Sequence, residues 1–197
     1  MTAPDFDPAG NAAYPAELER EVTSDDGEPI RLRPIRADDA GRLQDLHSRL
    51  SRQTVYQRFF SLMRRLPTDW ARYLANVDYR RRLALVLERG PASAPELIGV
   101  GRYEPTDDPA AAEVAFVVED RWQNRGLGTL LFTELLAAAE ARGIHRFHAE
   151  VLADNRRMLD LIVRLGHVES RNVQAGAVSL VFTRRPPGVS PVAPERR

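Results

Sequence analysis

Between Pro109 and Pro186 the sequence contains no proline, and within that span the apolar spacing changes period in a fixed order. Glu113 to Val118 is strand-like. Leu127 to Arg142 places Leu130, Leu131, Leu135 and Leu136 at helical spacing and stops at Gly143. Phe147 to Leu152 is again strand-like, and Asn155 to Leu165 reads as a helix closed by Gly166. Val168 to Val173 and Val178 to Thr183 then form a hairpin around Gln174-Ala175-Gly176. A strand, a long helix and a second strand in succession make a parallel crossover, here residues 113–152. The closing hairpin is antiparallel, so one sheet must carry both kinds of pairing.

The first half adds to that sheet. Ile30-Arg31-Leu32-Arg33-Pro34-Ile35 alternates apolar and polar, as a half-exposed strand does. Asp38 or Asp39 is placed to cap a helix with Leu43, Leu46 and Leu50 on one face, and Thr68 or Asp69 to cap a second with Trp70, Tyr73, Leu74 and Val77 inward. Leu83 to Leu87 and Leu97 to Tyr103 form a hairpin across Gly90 to Pro95. The expectation is an α/β (α+β mixed) fold: a mostly antiparallel sheet of seven strands with about four helices.

Charge and proline set the expected limits of this domain. Residues 1–29 hold eight acids against Arg20, residues 184–197 hold four Arg and four Pro, and both read as flexible tails. The domain expected is residues 30–183. The N-terminus lacks the apolar core and early positive charge of a signal or transit peptide, and no apolar run approaches the roughly 18 residues of a membrane helix. A cytoplasmic location with no membrane partner is therefore expected. No Cys is present, which excludes disulfides, thiolate catalysis and zinc–thiolate sites. His47, His145, His148 and His167 have no metal-ligand spacing, so no metal is expected. Every basic residue is Arg, so the sequence offers no Lys for a Schiff base or for self-acetylation. Basic and acidic residues balance at 28 each, and aromatic residues do not interleave with Arg, so nucleic acid is not an expected partner.

The segment Arg121-Trp122-Gln123-Asn124-Arg125-Gly126-Leu127-Gly128-Thr129 joins a strand to an amphipathic helix. Unpaired N–H groups and the positive dipole end at a helix start attract anions. Gly126 and Gly128 remove the Cβ atoms that would hold an anion off the backbone. Arg125 adds charge. The physical reading is a diphosphate cradle. A dinucleotide fingerprint is the weaker match: Gly126-Leu127-Gly128 begins it, but Leu131 stands at the third Gly position, although Glu150 falls about where the ribose-binding acid would be.

Gln123-Asn124-Arg125-Gly126-Leu127-Gly128 fits Gln/Arg-x-x-Gly-x-Gly/Ala at every fixed position, and so resembles the acyl-CoA loop of the GNAT superfamily of N-acetyltransferases. The resemblance extends from Ile30 to Thr183. Arg58-Phe59-Phe60, Glu113 in Glu-Val-Ala-Phe-Val-Val, and Asn155-Arg156-Arg157-Met158 narrow it to the catalytic domain of bacterial protein-lysine acetyltransferases. It implies acetyl-CoA as cosubstrate and a protein acceptor with an accessible lysine. It implies a parallel strand pair splayed around the loop, with Phe116, Val117 and Val118 pairing along the pantetheine arm and Asn155 contacting it. Residues Gln123 to Thr129 would hold the diphosphate, and Glu113 would be the general base, with Glu150 second. Many relatives place a Tyr seven residues after the Asn; here that position is Ile162, so the resemblance supplies no side-chain acid. Arg42 to Arg82 holds ten Arg against Asp45, Asp69 and Asp78, which suits either an acidic acceptor or a merely solvated face. A small-amine acceptor, a non-catalytic acyl-CoA sensor and a dinucleotide-dependent oxidoreductase are the alternatives. Nothing in the sequence fixes the oligomeric state.

Overall fold

The computed structural model describes residues 13–91 and 93–185. The strands are β1 (Arg20–Thr23), β2 (Pro29–Pro34), β3 (Leu83–Arg89), β4 (Glu96–Pro105), β5 (Ala111–Val118), β6 (Arg146–Leu152), β7 (Gly166–Gln174) and β8 (Ala177–Arg184). They form one sheet in the order β1-β2-β3-β4-β5-β6-β8-β7. Only β5 and β6 are parallel; every other pairing is antiparallel. The helices are α1 (Ala40–Arg49), α2 (Arg52–Phe59), α3 (Thr68–Ala75), α4 (Leu127–Glu140) and α5 (Arg156–Leu165).

Alternation along the strands divides the core between two faces. Leu83, Leu85 and Leu87 of β3 pack with Leu131, Phe132, Leu135 and Leu136 of α4. Ala84 and Val86 face the other way, against Leu43, Leu46, Ala71 and Leu74 of α1 and α3. Phe132 links the site to this core: its ring lies 5.3 Å from Phe116 of β5 and 5.8 Å from Phe182 of β8.

Three features depart from the sequence reading. The sheet has eight strands, because Arg20–Thr23, read as part of a flexible tail, pairs antiparallel with β2 from Arg20↔Leu32 to Thr23↔Pro29. Charge misled that reading: an edge strand tolerates charged residues on its solvent side, while the Ile30 and Leu32 side chains of its neighbour are fully buried. Residues 1–12 and 186–197, the outer parts of the two expected tails, lie outside the described residues. Second, α2 fills a segment to which the sequence assigned no element, started by Ser51, whose Oγ accepts from Thr54 N at 3.1 Å. Third, Asp39 caps nothing with its side chain at the head of α1. It is buried against Arg33, whose guanidinium also reaches Glu88 at 2.7 Å. Burial alone would raise the Asp39 carboxyl; hydrogen bonds from Arg33 outweigh it and hold the group below the usual carboxylate range.

Candidate active site

The β5–β6 ladder is short. It pairs Ala111↔Arg146, Ala112↔Phe147 and Glu113↔His148, then stops. Past that point β5 stays with β4, from Ala115↔Arg102 to Val118↔Gly99, while β6 stays with β8, from Ala149↔Leu180 to Leu152↔Ala177. The two strands therefore diverge, and among the described residues the edge of Phe116–Val118 that faces β6 has no strand beside it. An extended ligand with amide groups can add to such an edge as a strand would.

A cavity of about 820 Å³ occupies the opening. The sequence-predicted residues Phe116, Val117, Val118, Gln123, Asn124, Gly126, Gly128, Thr129 and Asn155 line it. Gln123 spans its mouth: Nε2 donates to Val118 O at 3.0 Å, and Oε1 accepts from Arg157 at 2.8 Å. Gly126 stands at φ +76° as the residue before α4, and Asn124 at +62°. These left-handed positions turn the loop so that the first N–H groups of α4 face outward. A Cβ at Gly128 would meet nothing within 4 Å, so the backbone there is open to the cavity.

Two predicted residues point elsewhere. Leu127 is buried in the core, so only its backbone belongs to the loop. Arg125 stacks over Trp122, 4.6 Å from the ring centroid, and pairs with Asp26 at 2.5 Å. Asp25 N also donates to Arg125 O at 3.1 Å. The β1–β2 turn thus lies against the loop, a contact invisible to a reading that treated the turn as tail.

Sequence reasoning also missed most of the far wall. Gln53, Thr54, Gln57 and Arg58 of α2 and Arg156, Arg157 and Arg164 of α5 line the same cavity. Arg164 donates to Thr129 Oγ1 at 2.9 Å, bringing α5 onto the start of α4. The signal was available in Asn155-Arg156-Arg157, where Asn155 caps α5 by accepting from Met158 N at 3.2 Å. Asp120 anchors the α2 wall, accepting from Ser51 N, Ser51 Oγ and Thr54 Oγ1 at 2.7–2.8 Å.

A second cavity of about 830 Å³ lies beside the first, and the two share Gln57, Arg58, Phe116, Asn155 and Met158. Phe59, Phe60, Met63, Trp70 and Tyr73 give it an apolar side; Glu104, Glu113 and Glu150 give it an acidic one. Glu113 and Glu104 are cross-strand partners. Glu104 is held by Arg82 Nε at 2.6 Å and Arg102 Nε at 2.9 Å. Burial alone would raise it, but these guanidiniums keep its carboxyl below the usual range. Glu113 makes no hydrogen bond or ion pair among the described residues and is exposed. Glu150, on the diverging strand, is likewise exposed. Arg58 is half-buried at the junction, near Glu113 and over the Phe59 ring at 5.0 Å. Burial, with repulsion from Arg102, pushes its guanidinium down to about 10, still charged at neutral pH.

The profile of the acetyltransferase (GNAT) family matches residues 43–167. The chain belongs to the GNAT family. Acetyltransferase Pat of Mycolicibacterium smegmatis is 35% identical over 170 residues, which are 86% of this chain and 50% of that protein. The chain thus spans about half the length of that relative. An acetyltransferase of Pseudomonas aeruginosa is 28% identical over 75% of this chain and 80% of its own length. Among solved structures, the GNAT domain of the PAT protein of S. lividans superposes with a TM-score of 0.78 at 35% identity, covering 86% of this chain and 99% of that one. A cAMP-binding acyltransferase from Mycobacterium smegmatis superposes at 0.60 with 30% identity, and this chain covers 50% of it.

The family's cosubstrate is acetyl-CoA, and the residues present fit it. The unpaired edge of β5 suits the amides of its arm, the loop at Gly126 and Gly128 suits its diphosphate, and the α5 arginines suit its remaining phosphate. Among the described residues no helix is long and apolar enough to cross a membrane.

Proposed function

We propose that this chain is an acetyl-CoA-dependent N-acetyltransferase acting on a lysine side chain of a protein, with Glu113 as general base. The supporting observation is the pair of cavities that meet at Arg58 and Phe116: one suits the cosubstrate, and the other, with an apolar side and free carboxylates, suits the alkyl stem and ammonium of lysine.

Acetyl-CoA supplies an acyl thioester that an amine can attack directly. A lysine amine, with a pKa near 10.4, is protonated at neutral pH and must lose a proton to react. Glu113 lies on the β5 face that carries Ala115 and Val117, three residues from the junction residue Phe116, and its carboxylate is not engaged elsewhere among the described residues. Directly or through one water, it takes that proton before the nitrogen attacks the thioester carbonyl, and the nitrogen sheds its second proton to solvent as the carbon–sulfur bond breaks; a positioned base contributes roughly 10² to 10⁴ in rate. Glu150 is the second carboxylate of the cavity and the rival for the role. Ile162 is buried and lines the acceptor side, so no hydroxyl at that position protonates the departing sulfur. A thiol pKa near 8.5 makes the thiolate a tolerable leaving group.

Calorimetric titration with acetyl-CoA and, separately, NAD tests the cosubstrate; micromolar binding of acetyl-CoA alone is expected. Turnover on lysine peptides, peptide N-termini and small amines tests the acceptor. Binding of acetyl-CoA with no turnover on any amine would instead support a sensor.

A further inference from the structure

Of the ten arginines from Arg42 to Arg82, four are paired: Arg42 with Asp39, Arg49 with Glu119, Arg72 with Asp69 and Arg82 with Glu104. Arg52, Arg64 and Arg65 are exposed and make no ion pair among the described residues. The same stretch exposes Tyr56, Phe60 and Leu62, at 43%, 40% and 58%. Unpaired guanidiniums beside exposed large apolar side chains are unusual on a surface that faces only water. They are the composition of a protein interface, where Arg and aromatic residues are enriched.

Their position supplies the rest. Phe60, Ser61, Met63 and Pro67, from the same α2–α3 connection, line the acceptor cavity, so Leu62, Arg64 and Arg65 stand at its rim. The rim is cationic, while the cavity holds Glu104, Glu113 and Glu150. A nucleic acid would meet those carboxylates with its phosphates. A small amine would use the cavity and leave the rim idle. The polarity matches an acceptor carrying one basic side chain within an acidic and apolar surround.

We propose that the α2–α3 connection is a docking surface for a protein whose target lysine is flanked by acidic and apolar residues, with Arg64 and Arg65 reading the acids and Phe60 and Leu62 covering the apolar positions. This rests on the protein-lysine reading above and adds the partner's chemistry. Charge complementarity of this kind acts on encounter and KM more than on the chemical step.

The experiment uses the full chain, acetyl-CoA and two nine-residue peptides, each with one central lysine, flanked by Asp, Glu and Leu in one and by Arg, Gln and Leu in the other. CoA release gives the rates. The wild type is expected to favour the acidic peptide by about tenfold or more in kcat/KM, mainly through KM, and to lose most of that preference between low and high salt. Arg64→Glu combined with Arg65→Glu should abolish or invert the preference while leaving turnover of Nα-acetyl-lysine amide unchanged. Leu62→Ser should raise KM for both peptides. Equal use of the two peptides, or a preference untouched by charge reversal, overturns the proposal. So does turnover of Nα-acetyl-lysine amide without turnover of either peptide, which leaves the lysine reading intact. If no lysine side chain is acetylated while acetyl-CoA binds, the reading beneath falls and the docking surface with it.

Discussion

Gly126→Ala separates the backbone requirement of the loop from its chemistry. Gly126 has φ +76°, a left-handed conformation that costs an L-residue with a Cβ roughly 1–2 kcal/mol. The added Cβ would also lie 2.5 Å from Asp25 Oδ1, too close for contact, so the Asp25 carboxylate must move aside. Asp25 is exposed and its carboxylate is the free end of the side chain, so most of the loss comes from the backbone. A loss of 1–2 kcal/mol lowers the melting temperature by about 2–8 °C in a chain of this size. Because the same turn aims the loop N–H groups into the cavity, acetyl-CoA affinity should fall about tenfold or more, equivalent to roughly 1.4 kcal/mol. Gly128→Ala is the control. Its Cβ meets nothing and the position is helical, so stability should hold or rise by up to about 1 kcal/mol. Adding Asp25→Ala to Gly126→Ala removes the close approach and leaves the strain. Differential scanning fluorimetry and calorimetric titration read the two quantities. A folded Gly126→Ala protein with unchanged melting temperature and unchanged affinity refutes both the left-handed turn and the cradle.

Asp120→Ala should lower stability by about 1–3 kcal/mol, because three hydrogen bonds from Ser51 and Thr54 to one carboxylate hold the start of α2; acetyl-CoA binding should weaken with it, and an unchanged thermal melt would show that α2 is held otherwise. Burial holds the His47 imidazole below its usual value of about 6.5, and its Nε2 has no partner among the described residues. The unfolded chain therefore takes up the proton first as pH falls. The stability contribution is complete above about pH 6.5 and is lost below it, so His47→Leu should flatten the decline in melting temperature between pH 7.5 and 5.5; an identical slope in both proteins assigns that decline to other groups. Removing residues 1–27 deletes β1 and uncovers Ile30 and Leu32, and should cost several degrees of melting temperature, each exposed aliphatic side chain being worth about 1.5–3 kcal/mol; an unchanged melt would mean that β1 contributes nothing to the sheet.

What the sequence revealed followed from period and punctuation. The β5–α4–β6 crossover, the loop at Gly126 and the closing hairpin were legible because long apolar-faced elements are bounded by glycine and uninterrupted by proline. The pattern failed where tertiary partners do the work. In α2, only Thr54 and Val55 are buried, so its face is too narrow to announce a helix, and its start depends on Asp120, far along the chain. In β1, charged edge residues looked like a solvated tail until β2 was seen to pair with them. The divergence of β5 from β6 has no local signature either, since both strands continue unbroken against their other neighbours. The cavity residues on the loop were found from the motif, whereas Gln53, Gln57 and Arg164 reach it only through helix packing.

Glu113→Gln tests the account at its chemical step. The substitution keeps shape and removes the proton acceptor, at an exposed position where the carboxylate makes no ion pair among the described residues whose loss would disturb the fold. Initial rates with saturating acetyl-CoA and a lysine peptide, measured beside acetyl-CoA affinity, should show kcat reduced by roughly 10²-fold or more with affinity unchanged within about twofold. Retention of more than about a third of wild-type kcat contradicts the assignment of Glu113 as base and turns attention to the same measurement on Glu150→Gln.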